Sequence, residues 1–170
     1  MNNLIPKKKL FFTDERIAII DIGSDTVRFQ IFENFKDNQV AIFNKKISCG
    51  LGKDLIKNNK LNKDSIKKTM NALYYIKELI DSSNIKNYKI FATEAVRVAK
   101  NRDAFIANAE NILKKKIHVL TGDEEAKFSA MGCIVGLKKS NGLVADLGGG
   151  SLELAEVKKK EVMNTLSLPL

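Results

Sequence analysis

The chain has 170 residues, 44% of them hydrophobic, with 29 Lys plus Arg against 20 Asp plus Glu and a formal charge of +9. That is enough apolar material for a packed core and too much for intrinsic disorder. No stretch approaches the roughly 18 uncharged apolar residues of a membrane span, and Asp14, Glu15 and Arg16 interrupt any signal-peptide core after Lys7, Lys8 and Lys9. A cytoplasmic protein with no membrane partner is expected.

Residues 1–15 read as an N-terminal extension. Arg16 to Ile22 is a β-branched run ending at Gly23, the pattern of a buried strand. Thr26 to Glu33 alternates, with Val27, Phe29 and Ile31 on one face, and after so tight a turn it returns antiparallel. Gln39 to Ser48 reads as a third strand. Leu61-Asn62-Lys63-Asp64 carries helix-start chemistry, and Ile66, Met70, Leu73, Ile76, Leu79 and Ile80 then recur at helical spacing. Tyr88 to Ala92 is a strand, and Arg102 to Lys115 a helix with Phe105, Ile106, Ala109, Ile112 and Leu113 inward. Ile117 to Leu120 is a strand and Asp123 to Val135 a helix. The order βββαβαβα predicts an α/β fold whose mixed sheet is antiparallel at first and parallel later, with flanking helices.

The opening then recurs. Leu143-Val144-Ala145-Asp146-Leu147-Gly148-Gly149-Gly150-Ser151-Leu152-Glu153-Leu154 repeats the pattern of Ala18-Ile19-Ile20-Asp21-Ile22-Gly23-Ser24-Asp25-Thr26-Val27-Arg28-Phe29, with Asp146 lying 125 residues after Asp21. Each is an apolar strand, an Asp-apolar-Gly step, a small-residue turn and an alternating strand. A matching Asp in both copies points to duplication rather than to two ordinary hairpins. Residues 16–138 are therefore expected to form a first domain, and 139–170 the opening strands of a second, truncated one. Strand faces carrying Leu143, Val144, Leu152 and Leu154 are expected to lie exposed and to favour a homodimer.

Cys49 and Cys133 stand far apart with no Cys/His cluster, which argues against zinc and, absent an export signal, against a disulfide. Both read as small buried hydrophobes, and His118, the single histidine, as structural. The lysine clusters are scattered. They attract a polyanion by long-range steering, yet no aromatic-interleaved basic stripe or nucleic-acid motif accompanies them, so a nucleic-acid partner is not expected.

An Asp at a strand end beside a glycine-rich turn is a phosphate and metal arrangement. The glycines let backbone N–H groups converge on phosphate oxygens, and the carboxylate holds Mg²⁺. Two such turns facing each other would clamp a phosphate chain from both sides. Glu124 and Glu125 open a helix after Thr121-Gly122-Asp123. Either suits the helix dipole, and either could be a general base or metal partner at the cleft. Arg97, beyond the end of strand Tyr88 to Ala92, is a surface arginine or a bidentate phosphate clamp.

Together, Asp21-Ile22-Gly23-Ser24-Asp25-Thr26, Gly50-Leu51-Gly52, Thr93-x-Ala95-x-Arg97, Gly122-Asp123-Glu124-Glu125-Ala126 and Asp146-Leu147-Gly148-Gly149-Gly150-Ser151-x-Glu153-Leu154 resemble the exopolyphosphatase / guanosine pentaphosphate phosphohydrolase family, from about Arg16 to Leu170. The resemblance implies the actin-like ATPase superfamily, with two RNase H-like domains around a cleft. It implies Gly23, Ser24, Asp25 and Thr26, with Gly148, Gly149, Gly150 and Ser151, as the two phosphate loops. It implies Glu125 as the base for the attacking water, Arg97 as a phosphate-binding arginine, and Asp146 and Glu153 as carboxylates on the Mg²⁺ side, with Asp21 a second-rank metal candidate. The expected substrates are polyphosphate or guanosine pentaphosphate. One departure is Asp25, where the family usually carries Asn. Two other functions share the Asp-Gly turns: a sugar-kinase or chaperone-type ATPase of the same superfamily, and a non-catalytic sensor of polyphosphate or guanosine tetraphosphate.

Overall fold

A computed structural model describes residues 16–35, 38–137 and 141–170. The expected extension 1–15 and the expected domain boundary at 138/139 lie outside the described residues. The elements run β1 (Ile17–Ile22), β2 (Thr26–Phe35), β3 (Asn38–Ser48), α1 (Leu55–Asn58), α2 (Lys63–Ser82), β4 (Asn87–Ala92), α3 (Glu94–Val98), α4 (Arg102–Leu113), β5 (His118–Val119), α5 (Gly122–Gly136), β6 (Gly142–Leu147), β7 (Ser151–Lys158) and β8 (Glu161–Pro169). Every predicted strand and helix is present. The short helices α1 and α3 and the strand β8 are additions that the hydrophobic pattern did not mark.

The first sheet has the order β3-β2-β1-β4-β5. β1 is antiparallel to β2 and parallel to β4, which is the predicted mixture. Alternation places Ala18, Ile20 and Ile22 of β1 with Val27, Phe29 and Ile31 of β2 on one face, all buried. Leu73, Ile76 and Ile80 of α2 and Phe105, Ala109 and Leu113 of α4 close over that face. Asn62 caps α2 by accepting from the backbone N–H groups of Asp64 and Ser65 at 2.8 and 3.2 Å. The buried stripe of α2 also takes in Ser65 and Thr69, while Ile66, Met70 and Leu79 sit at its margin. Thr69 tolerates burial because its hydroxyl donates to the Ser65 carbonyl at 2.8 Å.

The second sheet has the order β6-β7-β8, antiparallel throughout. Although α5 follows the first sheet in the chain, it packs on the second: Ala126 and Ala130 are buried against Ala155 and Val157 of β7, with Ile134, Val144 and Val162 around them. Two expectations are corrected by this packing. Val144 is not left bare, because it turns toward α5. Cys133 is exposed rather than buried: it follows Ala130, the last buried residue of α5, near the helix's C-terminal end. Cys49 is buried at 4% exposure.

Candidate active site

The two Asp-Gly turns are built alike. Gly23 N–H donates to the Thr26 carbonyl at 2.9 Å, and Gly148 N–H donates to the Ser151 carbonyl at 2.9 Å. These are the same bond 125 residues apart. Register then places Asp21 opposite Arg28 in the first hairpin, and Asp146 opposite Glu153 in the second. The repeat therefore exchanges a cation for an anion at one position. The Gly50–Gly52 loop braces the first turn from behind: Cys49 and Gly50 N–H groups donate to the Asp25 carbonyl, both at 2.9 Å, and Gly52 N–H to that of Ser24 at 2.7 Å. Leu51, fully buried, anchors this brace.

The turns touch. A Cβ at Gly149 would meet Ser24 and Asp25 at 3.4 Å, and one at Gly150 would meet the Ser24 hydroxyl at 2.8 Å, so glycine permits the approach. Between them lies a cleft of about 570 Å³ lined by Asp21, Gly23, Ser24, Asp25, Thr26, Arg28, Lys46, Thr93, Glu125, Asp146 and Leu147 to Ser151. Eleven of the thirteen site residues expected from sequence meet there: Asp21, all eight residues of the two loops, Glu125 and Asp146. Two lie outside the lining. Glu153 is 2% exposed and takes the Ser167 hydroxyl at 2.9 Å. Arg97 lies on α3, its Nη1 donating to the Leu120 carbonyl at 2.7 Å and to Glu125 Oε2 at 3.0 Å, its Nη2 to Glu94. In this structure the Arg97 fork is occupied by carboxylates.

The adjacent glutamates separate. Thr121 and Glu124 form a capping box, the Thr121 side chain accepting from Glu124 N–H at 3.2 Å and Glu124 accepting from Thr121 N–H at 2.9 Å. Glu124 also meets His118 Nε2 at 3.1 Å, which is the histidine's structural use. Those bonds, first the Thr121 backbone N–H, hold the Glu124 carboxyl below its ordinary range. Glu125 turns to the cleft instead. Burial pushes its carboxyl up to about 7, Arg97 opposing and the charges of Glu153 and Asp21 adding to the rise. Asp21 is likewise raised by burial, with the Arg28 charge opposing and that of Asp146 reinforcing.

Arg28 and Lys46 are the residues that sequence reading missed. They are cross-strand partners on β2 and β3, and both line the cleft. Arg28 Nε is buried with no hydrogen-bond partner among the described residues. A cation held so is a ready partner for an anionic oxygen. The signal was available for Arg28, which alternates with Val27 and Phe29 and therefore faces away from the core. Lys46 required the β2–β3 register.

Among the described residues no three His, Cys, Asp or Glu side chains converge as a metal-binding group. Asp21 and Asp146 nevertheless line one cleft, and the charge of Asp146 adds to the rise at Asp21. Mg²⁺ keeps several waters and takes one or two carboxylates plus substrate phosphates, so this oxygen-only pair fits it.

Residues 31–170 match the model of the Ppx/GppA phosphatase family. The chain is 36% identical over 161 residues to a bifunctional 3-dehydroquinate synthase/phosphatase of Fusobacterium nucleatum, covering 89% of this chain and 24% of that protein. It is 30% identical over 139 residues to a guanosine-5'-triphosphate,3'-diphosphate pyrophosphatase of Aliivibrio fischeri, covering 81% and 28%. Among solved structures, an Aquifex aeolicus Ppx/GppA family member superposes with a TM-score of 0.80 at 32% identity, over 91% of this chain and 51% of that one. An exopolyphosphatase from Cytophaga hutchinsonii gives a TM-score of 0.81 at 24% identity, over 91% and 50%, and so shares the fold. The chain thus spans about a quarter of the length of these two curated relatives and half that of the solved ones.

Proposed function

From the premise that the chain belongs to the Ppx/GppA phosphatase family, we propose that it carries the catalytic cleft of a phosphoanhydride hydrolase. The substrate is inorganic polyphosphate or guanosine pentaphosphate, and the product is its terminal or 5' γ-phosphate, released as inorganic phosphate. The observation that carries this reading is the placement of Glu125: a half-buried carboxyl that burial pushes up to about 7, bonded to Arg97 and lining one cleft with the two Asp-Gly turns.

Arg97 occupies Oε2, so Oε1 of Glu125 is left without a protein partner among the described residues. A water there gives its proton to Glu125 while its oxygen attacks the terminal phosphorus in line. The anhydride P–O bond breaks, and the shortened chain departs with the electron pair. Backbone N–H groups of the two turns hold the non-bridging oxygens, and Arg28 and Lys46 supply fixed positive charge along the cleft. Asp21 and Asp146 would hold Mg²⁺, with Glu153 behind Asp146. When bound, the ion offsets the charge on the phosphoryl oxygens.

The test offers long-chain polyphosphate and guanosine pentaphosphate separately to excess protein and counts the phosphate released in a single turnover. Glu125→Gln is expected to slow release by roughly 10²–10⁴, the range for loss of a general base, while calorimetric binding of the phosphate chain is retained. A damaging Glu124→Gln with a nearly silent Glu125→Gln would reverse the assignment. Undiminished release in excess chelator would remove Mg²⁺ from the mechanism.

A further inference from the structure

Glu125 and Ser129 stand one helical turn apart on α5, so their side chains leave the helix on the same face. Glu125 meets Arg97; Ser129 Oγ donates to Asp146 Oδ2 at 2.5 Å. That is the one side-chain hydrogen bond of Asp146 among the described residues. Both residues line a second cavity of about 850 Å³ that meets the cleft at Asp21, Arg28, Thr93, Glu125 and Asp146.

The internal repeat shows why a donor is needed there. In the first hairpin Asp21 lies opposite Arg28, whose charge attracts it. In the second, the equivalent partner of Asp146 is Glu153, a like charge that offers no hold. An aspartate beside a glycine turn has a broad χ2 well and swings unless something grips it. The grip comes from α5, not from the neighbouring strand.

We infer that Ser129 is a positioning residue for Asp146: its hydroxyl fixes one carboxylate oxygen and leaves Oδ1 as the oxygen available to a divalent cation. The inference rests on the metal reading given under the proposed function, and it adds a residue outside the five motifs. It also couples the two halves of the chemistry. One face of one helix sets both the base and the metal carboxylate, so a rotation of α5 displaces them together.

The experiment measures Mn²⁺ binding to the full chain by electron paramagnetic resonance in the presence of imidodiphosphate, which is not hydrolysed. Ser129→Ala is expected to weaken Mn²⁺ by roughly 10-fold or more, as loss of an outer-shell partner does. Ser129→Thr, which keeps the hydroxyl, is expected to stay close to wild type, and Asp146→Asn to lose the ion. Unchanged affinity in Ser129→Ala together with loss in Asp146→Asn overturns the inference and leaves the metal reading standing. Affinity retained in Asp146→Asn, or no binding by the wild type, overturns the metal reading itself. Should Ser129→Ala fail to fold, Ser129→Val against Ser129→Thr makes the same comparison at matched shape.

Discussion

Burial and Arg97 pull the Glu125 carboxyl in opposite directions, and burial wins, leaving it at about 7. A base of that kind is inactive when protonated, so the rate of phosphate release should rise with pH through about 7 and level off above it. Arg97→Met removes the opposing charge and should move that rise to higher pH; Arg97→Lys, which keeps charge but not the fork, should move it less. A pH–rate profile of each variant is the check, and an unmoved profile in Arg97→Met would deny Arg97 its hold on the base. The same shift has a price in stability. With the folded-state value above the ordinary 4.5, the folded protein binds more protons between those limits, so stability falls as pH rises from about 4.5 to about 7 and is level beyond. Glu125→Gln should therefore stabilise the chain by about 1–3 kcal/mol at pH 8 and by almost nothing near pH 4. Urea denaturation at the two pH values reads this, and an equal effect at both would remove the titration as its cause.

At the scale of elements, α5 is held to the second sheet by small contacts at its first turn. A Cβ on Gly122 would fall 2.4 Å from Ser167 Cβ on β8. Thr165 donates to Asp123 at 2.9 Å beside it, and Ser167 to Glu153. Helix propensity favours Ala over Gly by up to about 1 kcal/mol, whereas overpacking costs about 1–3 kcal/mol. The clash lies close to the β8 backbone and should prevail, so Gly122→Ala is expected to lower the melting temperature. A higher melting temperature would show that α5 does not rest on β8 so closely. The two Asp-Gly turns depend on similar closeness: Gly52 backs Ser24, and Gly150 faces both Ser24 and Glu94. Such contacts join segments far apart in the chain, which is why local pattern identified the turns but not the brace behind them.

Over the whole molecule, the second sheet buries one face only. Ser151, Glu153, Ala155 and Val157 of β7 turn toward α5 and are buried. The alternate residues Leu152 and Leu154 pair with Leu168 and Leu166 of β8, and with Leu147 and Ala145 of β6. Leu143 and Leu147 are 68% and 72% exposed. A leucine face of this size favours association, so sedimentation velocity should find concentration-dependent dimers, and Leu154→Lys with Leu166→Lys should shift them toward monomer. Monomers at all concentrations would show that the face stays open. Multiple-turnover hydrolysis by this chain is expected to be slow, because one wall of the cleft rests on a sheet covered on one side and positions the phosphate chain less firmly.

The sequence by itself determined the element order, the mixed first sheet and the two Asp-Gly turns. Periodicity and glycine-rich turns are local signals, and the repeat made the second copy readable from the first. It also marked Asp146 and Asp21, and left Glu124 and Glu125 as alternatives until the family resemblance favoured Glu125; the fold brings Asp21, Asp146 and Glu125 to one cleft. Only tertiary structure separated the surroundings of Glu124 and Glu125, placing the first in the capping box and the second at the cleft, because both positions suit the same residue type. It alone turned Arg97 onto Glu125, seated α5 on the second sheet and aligned Lys46 with Arg28. Each of these depends on strand register or on contacts between distant segments, and neither is written in the spacing of residues along one element.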